Sequence, residues 1–143
     1  MGPTIMKGNR SLWAVVSALI ARGVEVYAPV GEGYRIDMLA RKDGGALQSV
    51  QVKTGKLVGG VISFAPSSIT PTGRVRKSYR GEVDLFAVYC SENDKVYVMP
   101  VDDVPEKEVS LRVDPTVRKQ VKRIRWAEDF EIDHTFGSPL LLP

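Results

Sequence analysis

The chain is expected to fold as an α/β domain, an α+β mixed sheet with an N-terminal helix and flanking helices. Four stretches predict it. Leu12, Val15, Val16, Leu19 and Ile20 recur at three- and four-residue spacing, which makes one apolar stripe on a helix. Arg35-Ile36-Asp37-Met38-Leu39 and Val50-Gln51-Val52-Lys53-Thr54 alternate apolar and polar residues, as half-buried strands do. Leu85 to Cys90 is almost unbroken apolar, as is a strand buried on both faces. One helix followed by a mixed sheet is a sandwich of two layers.

The elements follow in order. Asn9 and Ser11 are the two possible caps of the helix, which runs from Ser11 to Arg22 and stops at Gly23. Residues 24–28 alternate and end at Pro29, so they read as a strand. Tyr34 to Arg41 is the second strand and Leu47 to Thr54 the third. Between them Lys42-Asp43-Gly44-Gly45 has hairpin-turn chemistry. Gly55 to Gly60 reads as a loop that bends at Gly59-Gly60, before a short strand over 61–64. Residues 67–80 form a long polar connection with four basic residues, the best candidate for a ligand-ordered loop. After the strand at 85–90 come a turn at 91–94, a returning strand over 95–99, a single helical turn near 101–105 and a strand over 109–113. Residues 126–130 read as a short helical turn over the core, and the tail from 131 to 143 as irregular.

Composition narrows the class. A chain of 143 residues, 43% hydrophobic and 26% charged, fits one soluble globular domain spanning 1–143. No apolar run approaches the ~20 residues needed to span a bilayer. The first residues carry no signal-peptide apolar core, and a single cysteine, Cys90, excludes an internal disulfide or a cysteine-built zinc cluster. A cytoplasmic protein is expected. The one histidine, His134, lies far in sequence from Cys90, which argues against a Cys-His or Ser-His arrangement. The net charge of +3 says little, but its distribution says more. Arg74, Arg76, Lys77 and Arg80 form one basic cluster, and Arg118, Lys119, Lys122, Arg123 and Arg125 another. Such clusters either track a phosphate backbone or are solvated faces.

The chemistry concentrates on the hairpin. Gln51 and Lys53 share one strand face, with Val50 and Val52 on the other. A hairpin turn at 42–45 would bring Asp37 beside them. An acid, a neutral oxygen donor and a lysine on adjacent strands suit a divalent metal next to a phosphate. The other reading is an exposed strand face with a snorkelling lysine. Gly31-Glu32-Gly33 and Thr54-Gly55-Lys56 complete no nucleotide-binding pattern.

In ordered segments the chain resembles the PD-(D/E)XK nucleases, in the branch that holds archaeal Holliday junction resolvases and certain bacterial homing endonucleases. The segments are Lys7-Gly8, Gly31-Glu32 with Tyr34-Arg35-Ile36-Asp37, Val50-Gln51-Val52-Lys53-Thr54-Gly55, Tyr79-Arg80-Gly81-Glu82-Val83-Asp84, Val96-Tyr97-Val98-Met99-Pro100-Val101, and Ile124-Arg125-Trp126-Ala127-Glu128-Asp129-Phe130. They span roughly residues 7 to 130, with 131–143 outside.

This resemblance implies a restriction-endonuclease-like core and a DNA endonuclease that uses Mg2+ or Mn2+. Asp37 matches the metal-binding aspartate. Gln51 stands where the acidic residue of E-x-K usually stands, Lys53 matches the catalytic lysine, and the Val52 carbonyl matches a further metal ligand. Leu12 stands where this branch carries a glutamate, in what the sequence reads as the first turn of the helix. Glu32 would replace it only if the loop after Pro29 folds toward the site. The implied alternative is a catalytically impaired relative that binds DNA. A domain that binds only protein is the third class. Lys7, Arg35, Ser67, Ser68, Arg74, Arg76, Lys77, Arg80, Lys122 and Arg123 are the expected contacts to double-stranded or branched DNA. Cutting two strands needs two sites, hence an expected homodimer or homotetramer. Asp84 beside Glu82 reads either as a second acidic pair or, the favoured reading, as an acidic strand entrance that pairs with Arg80.

Overall fold

The computed structural model describes residues 3–69, 73, 75–115 and 124–141, with side chains of the first helix described from residue 6. Helix α1 spans Pro3–Ala21. Seven strands form one sheet: β1 (Glu25–Tyr27), β2 (Met38–Arg41), β3 (Gln48–Val58), β4 (Val61–Phe64), β7 (Leu85–Cys90), β8 (Lys95–Pro100) and β9 (Val109–Arg112). A separate two-stranded ribbon is made of β5 (Ser67–Ile69) and β6 (Arg76–Ser78). A short helix, α2 (Asp133–Phe136), follows a 3-10 turn at Ala127–Phe130. Among the described residues, no helix is long and apolar enough to cross a membrane.

The sheet runs β1-β2-β3-β4-β9, and β7 joins β3 on the way to β8. Among the described strands, β3 and β7 are the pair that runs parallel, with Val50 opposite Leu85 and Gly55 opposite Cys90. Strand β7 is buried along its whole length. Its alternation divides the core. Leu85, Ala87 and Tyr89 pack with Val15 and Leu19 of α1. Phe86, Val88 and Cys90 pack with Ile62, Phe64, Val109 and Leu111 of β4 and β9 on the other face.

Several boundaries differ from the sequence expectation. The helix begins at Pro3 rather than at Ser11, and Pro suits a first helical position. Its residues 6–10 are exposed, so no apolar stripe marks them. Residue 12 therefore sits in the interior of α1 and not in its first turn, away from the positive end of the helix dipole. Strand β2 starts at Met38, not Tyr34. The expected turn is present: Asp43 and Gly44 both have positive φ, 54° and 71°, and Gly45 N donates to Lys42 O at 3.0 Å.

Strand β3 continues through Gly55 to Val58 instead of ending at Thr54. A Cβ at residue 55 would sit 2.8 Å from Ile62 Cγ2 and 3.0 Å from Val88 Cγ1. Glycine marks close packing at that point, not a loop. The expected bend at Gly59-Gly60 is the turn into β4, with Val58 opposite Val61. The 67–80 connection contains the β5–β6 ribbon and is not a plain loop.

The tail is packed rather than irregular. Ile132 and Phe136 are buried against the α1 side of the core. Leu140 N donates to Ala21 O at 2.8 Å, and Arg22 pairs with Asp133 at 2.5 Å.

Candidate active site

Strand β2 leaves β3 beyond the Met38–Val50 pair. Asp37 stands at that departure. Its N–H donates to Val50 O at 2.9 Å, and its carboxylate Oδ2 accepts the Val52 N–H at 2.7 Å. The side chain thereby continues the hydrogen bonding of β3 where β2 no longer does. Its second oxygen is left for other partners.

A cavity of about 270 Å³ opens beside it, lined by Gly8, Asn9, Ser11 and Leu12 of α1, by Asp37, and by Gln51, Val52 and Thr54 of β3. Helix and strand are tied together at its wall by a 2.6 Å hydrogen bond between the Ser11 and Thr54 hydroxyls. The Gln51 amide donates to Val52 O at 3.3 Å, and its Oε1 is buried with no partner. A buried acceptor without a donor is costly, and a cation or a cation-bound water would relieve it. Asp37, the Gln51 Oε1 and the Val52 carbonyl form an all-oxygen donor set that fits a hard divalent cation. Leu12 lines the same cavity and supplies no ligand. Glu32 is exposed and does not line it. Among the described residues, no three His, Cys, Asp or Glu side chains cluster as a metal site.

Lys53 lies on the opposite face of β3 from Val52. Its Nζ is 3.4 Å from the Tyr79 hydroxyl and 4.6 Å from the centre of the Tyr79 ring. Burial lowers its pKa to about 8; Asp37 opposes the shift and Arg35 adds to it. Burial raises the Asp37 pKa, against the Val52 N–H and the Lys53 charge, which both lower it. Acid and base are thus each pushed toward neutrality by the same half-dry surroundings, and each partly restores the other's charge.

The expected DNA contacts divide. Arg76 and Lys77 are exposed on β6, and Lys7 is exposed on α1 beside the cavity-lining Gly8 and Asn9. Arg74, Lys122 and Arg123 lie outside the described residues. Arg35 is not free to reach a phosphate. It donates to Ser68 Oγ at 2.6 Å and to Ser78 O at 2.6 Å, pairs with Glu82 at 2.7 Å, and lies 3.9 Å over the Tyr79 ring. Ser68 is therefore held from within, and Ser67 is buried.

Arg80 donates to Val104 O at 2.6 Å and pairs with Glu106 at 3.7 Å, not with Glu82 or Asp84. Asp84 instead accepts the Ser49 N–H at 2.8 Å and the Ser49 hydroxyl at 3.1 Å, clamping β3 to the start of β7. The residue that sequence reasoning missed is Tyr79. Nothing in the pattern of residues 67–80 distinguishes it from a loop tyrosine.

A larger cleft of about 550 Å³, lined by Tyr27, Pro29, Tyr34, Ile36 and Met38 among others, holds none of Asp37, Gln51 or Lys53. Its walls are mainly apolar, and the two charged residues among them, Arg35 and Glu82, pair with each other.

Comparison with known proteins bears on the family and the fold. No curated protein matches the chain. A solved structure of a bacterial homing endonuclease, I-Ssp6803I, superposes with a TM-score of 0.72 at 26% identity, over 91% of this chain and 89% of that one. The fold is thus restriction-endonuclease-like, an N-terminal helix on a mixed sheet. The family model for PD-(D/E)XK endonucleases matches residues 3–133, and the chain belongs to that family of nucleases.

Proposed function

We propose that the protein is a Mg2+-dependent DNA endonuclease of the homing-endonuclease or junction-resolvase type, with its active centre at Asp37, Gln51, Val52 and Lys53. The observation that carries this reading is that Asp37 and Gln51, whose Oε1 is buried without a partner, line one cavity. The homing endonuclease with the similar structure favours the first type. Asp37, the Gln51 side chain and the Val52 carbonyl would hold the metal. When bound, the metal supplies Lewis-acid stabilisation of the phosphate and a more acidic water.

The protein's own residues do the rest. Asp37 is fixed by the Val52 N–H, so its remaining oxygen points without rearrangement. Lys53 neutralises charge that develops at phosphorus, in a setting dry enough to strengthen the interaction. The exposed cations of β6 hold the DNA backbone and carry little sequence information. Two cuts need two such centres, so the working unit is a homodimer or homotetramer.

Leu12 favours a second reading, a catalytically impaired DNA-binding relative. It fills the α1 wall of the cavity where the family's further carboxylate is expected, so Asp37 alone would carry the negative charge at the metal. One or two carboxylates with water and phosphate oxygens are the usual complement for Mg2+. One carboxylate is compatible with weak metal binding that DNA completes.

The experiment is a cleavage assay on supercoiled plasmid and on a four-way junction, with Mg2+, Mn2+ or a chelator, for wild type and Lys53→Ala. Metal-dependent products that Lys53→Ala does not form support the endonuclease. DNA binding with no product at any metal concentration supports the impaired relative.

A further inference from the structure

We propose that the ring of Tyr79 is a positioning element for Lys53, and that Arg35, stacked on the same ring, ties that position to the basic β5–β6 ribbon. The proposal deepens the nuclease reading above and rests on it for the role of Lys53. Four contacts carry it. The Lys53 ammonium lies 4.6 Å from the Tyr79 ring centre, the Arg35 guanidinium lies 3.9 Å from it, and Arg35 holds the ribbon through Ser68 Oγ and Ser78 O, both at 2.6 Å.

A flexible lysine on an open strand face would sample many rotamers. An aromatic face attracts an ammonium by its quadrupole, more strongly where water is excluded. Tyr79 is suited to this because it is itself fixed. It is 5% exposed and packs edge-on to Phe86 at 5.7 Å and 88°. The hydroxyl contact to Lys53, at 3.4 Å, is long for a hydrogen bond, and the Phe and Leu variants separate it from the ring.

Arg35 and Asp37 are two residues apart on the segment that leads into β2. The side chain of Arg35 goes to the ribbon and Tyr79, while that of Asp37 goes to Val52. The ribbon carries Arg76 and Lys77, exposed cations suited to phosphates. A shift of the ribbon on engaging DNA would therefore reach Arg35 first, then the Tyr79 ring, then Lys53. Glu82 pairs with both Arg35 and Lys77, at 2.7 and 3.8 Å, and so joins Arg35 to the ribbon a second time.

The test uses the full-length protein with Tyr79→Phe and Tyr79→Leu. Without DNA or metal, Lys53 Cε protons are followed by NMR with labelled lysine. The proposal expects an upfield ring-current shift and an ordered Cε in wild type and in Tyr79→Phe, both absent in Tyr79→Leu. A wild-type Lys53 signal with the shift and mobility of the exposed lysines overturns it, and that result needs no variant to fold.

With DNA, kcat of Tyr79→Leu should fall about tenfold, with KM changed less than about twofold and Tyr79→Phe close to wild type. Equal losses in Phe and Leu, or no loss in Leu, overturn the role of the ring. If wild type itself does not cleave, the nuclease reading fails, while the NMR result still decides whether Tyr79 holds Lys53.

Discussion

The carboxylate of Asp37 and the backbone of Val52 are joined by a 2.7 Å hydrogen bond, N–H to Oδ2, at the point where β2 leaves β3. One side chain thus does two jobs. It satisfies a strand amide that has no ladder partner, and it presents a charged oxygen to the cavity. The jobs separate by mutation.

Asp37→Asn keeps an oxygen for the Val52 N–H and removes the charge. It should be at least as stable as wild type, because a half-buried carboxylate whose pKa is raised by burial is replaced by a neutral amide. Asp37→Ala leaves the amide without its partner and should lose about 1 to 3 kcal/mol. Both should be inactive. Urea denaturation beside the plasmid assay checks this, and equal stability of Asn and Ala variants would mean that the hydrogen bond contributes nothing.

Lys53 sets a pH dependence of stability. Its pKa falls from 10.5 to about 8 on folding, chiefly through burial. Between these values the unfolded chain binds more protons than the folded one, so stability rises with pH through that window. Below about pH 8 the whole cost of burying the ammonium is present. Lys53→Met should therefore be more stable than wild type at pH 7, by about 1 kcal/mol once partial exposure and screening are allowed for. The difference should shrink toward pH 10.5, where the folded wild type is already neutral. Denaturant midpoints at several pH values, in metal-free buffer, measure it. A difference that grew with pH would reverse the sign of this argument.

The ribbon makes a salt prediction. Arg76→Gln with Lys77→Gln should weaken binding to every DNA sequence alike. The slope of log K against log salt should become shallower by about 1 for each phosphate that β6 no longer neutralises. Fluorescence anisotropy across a salt series reads both quantities. An unchanged slope would take β6 off the DNA.

The same residues show which features are legible in the sequence. The burial of β7 follows from its unbroken apolar run, and the shared face of Gln51 and Lys53 from a period of two, which depends only on the chain's own geometry. The turn at Asp43-Gly44 is readable because few residue types accept positive φ. The role of Arg35 is not, since whether an arginine meets phosphate or its own carbonyls depends on where a remote ribbon docks. Ser67 misleads for the same reason: a polar residue in a polar stretch gives no sign that it is buried. Ile132 and Phe136 escape notice because a four-residue helix is too short to show a stripe. Tyr79 needs the fold, which alone brings it to Lys53.

Leu12 is the most direct test of how the site is completed. It lines the cavity that Asp37, Gln51 and Val52 also line, so a carboxylate at this position would share the space with Asp37. Leu12→Glu should raise affinity for Mg2+ and Mn2+, because two carboxylates attract a divalent cation more strongly than one. It should also start or accelerate cleavage at low Mg2+. The cost is stability without metal. Leu12 is half-buried and packs against the core under α1, so a charge there should cost about 1 to 3 kcal/mol. The glutamate also meets Asp37, whose pKa is already raised by burial, and a second negative charge pushes it further in that direction. Added metal should then recover the lost stability, since a ligand that binds only the folded state stabilises it in proportion to the logarithm of one plus its free concentration over its Kd. Calorimetric titration and thermal denaturation, each with and without Mg2+, give the two halves of the result. A variant destabilised without metal, with unchanged metal affinity and no recovery on adding Mg2+, would show that position 12 does not reach the metal.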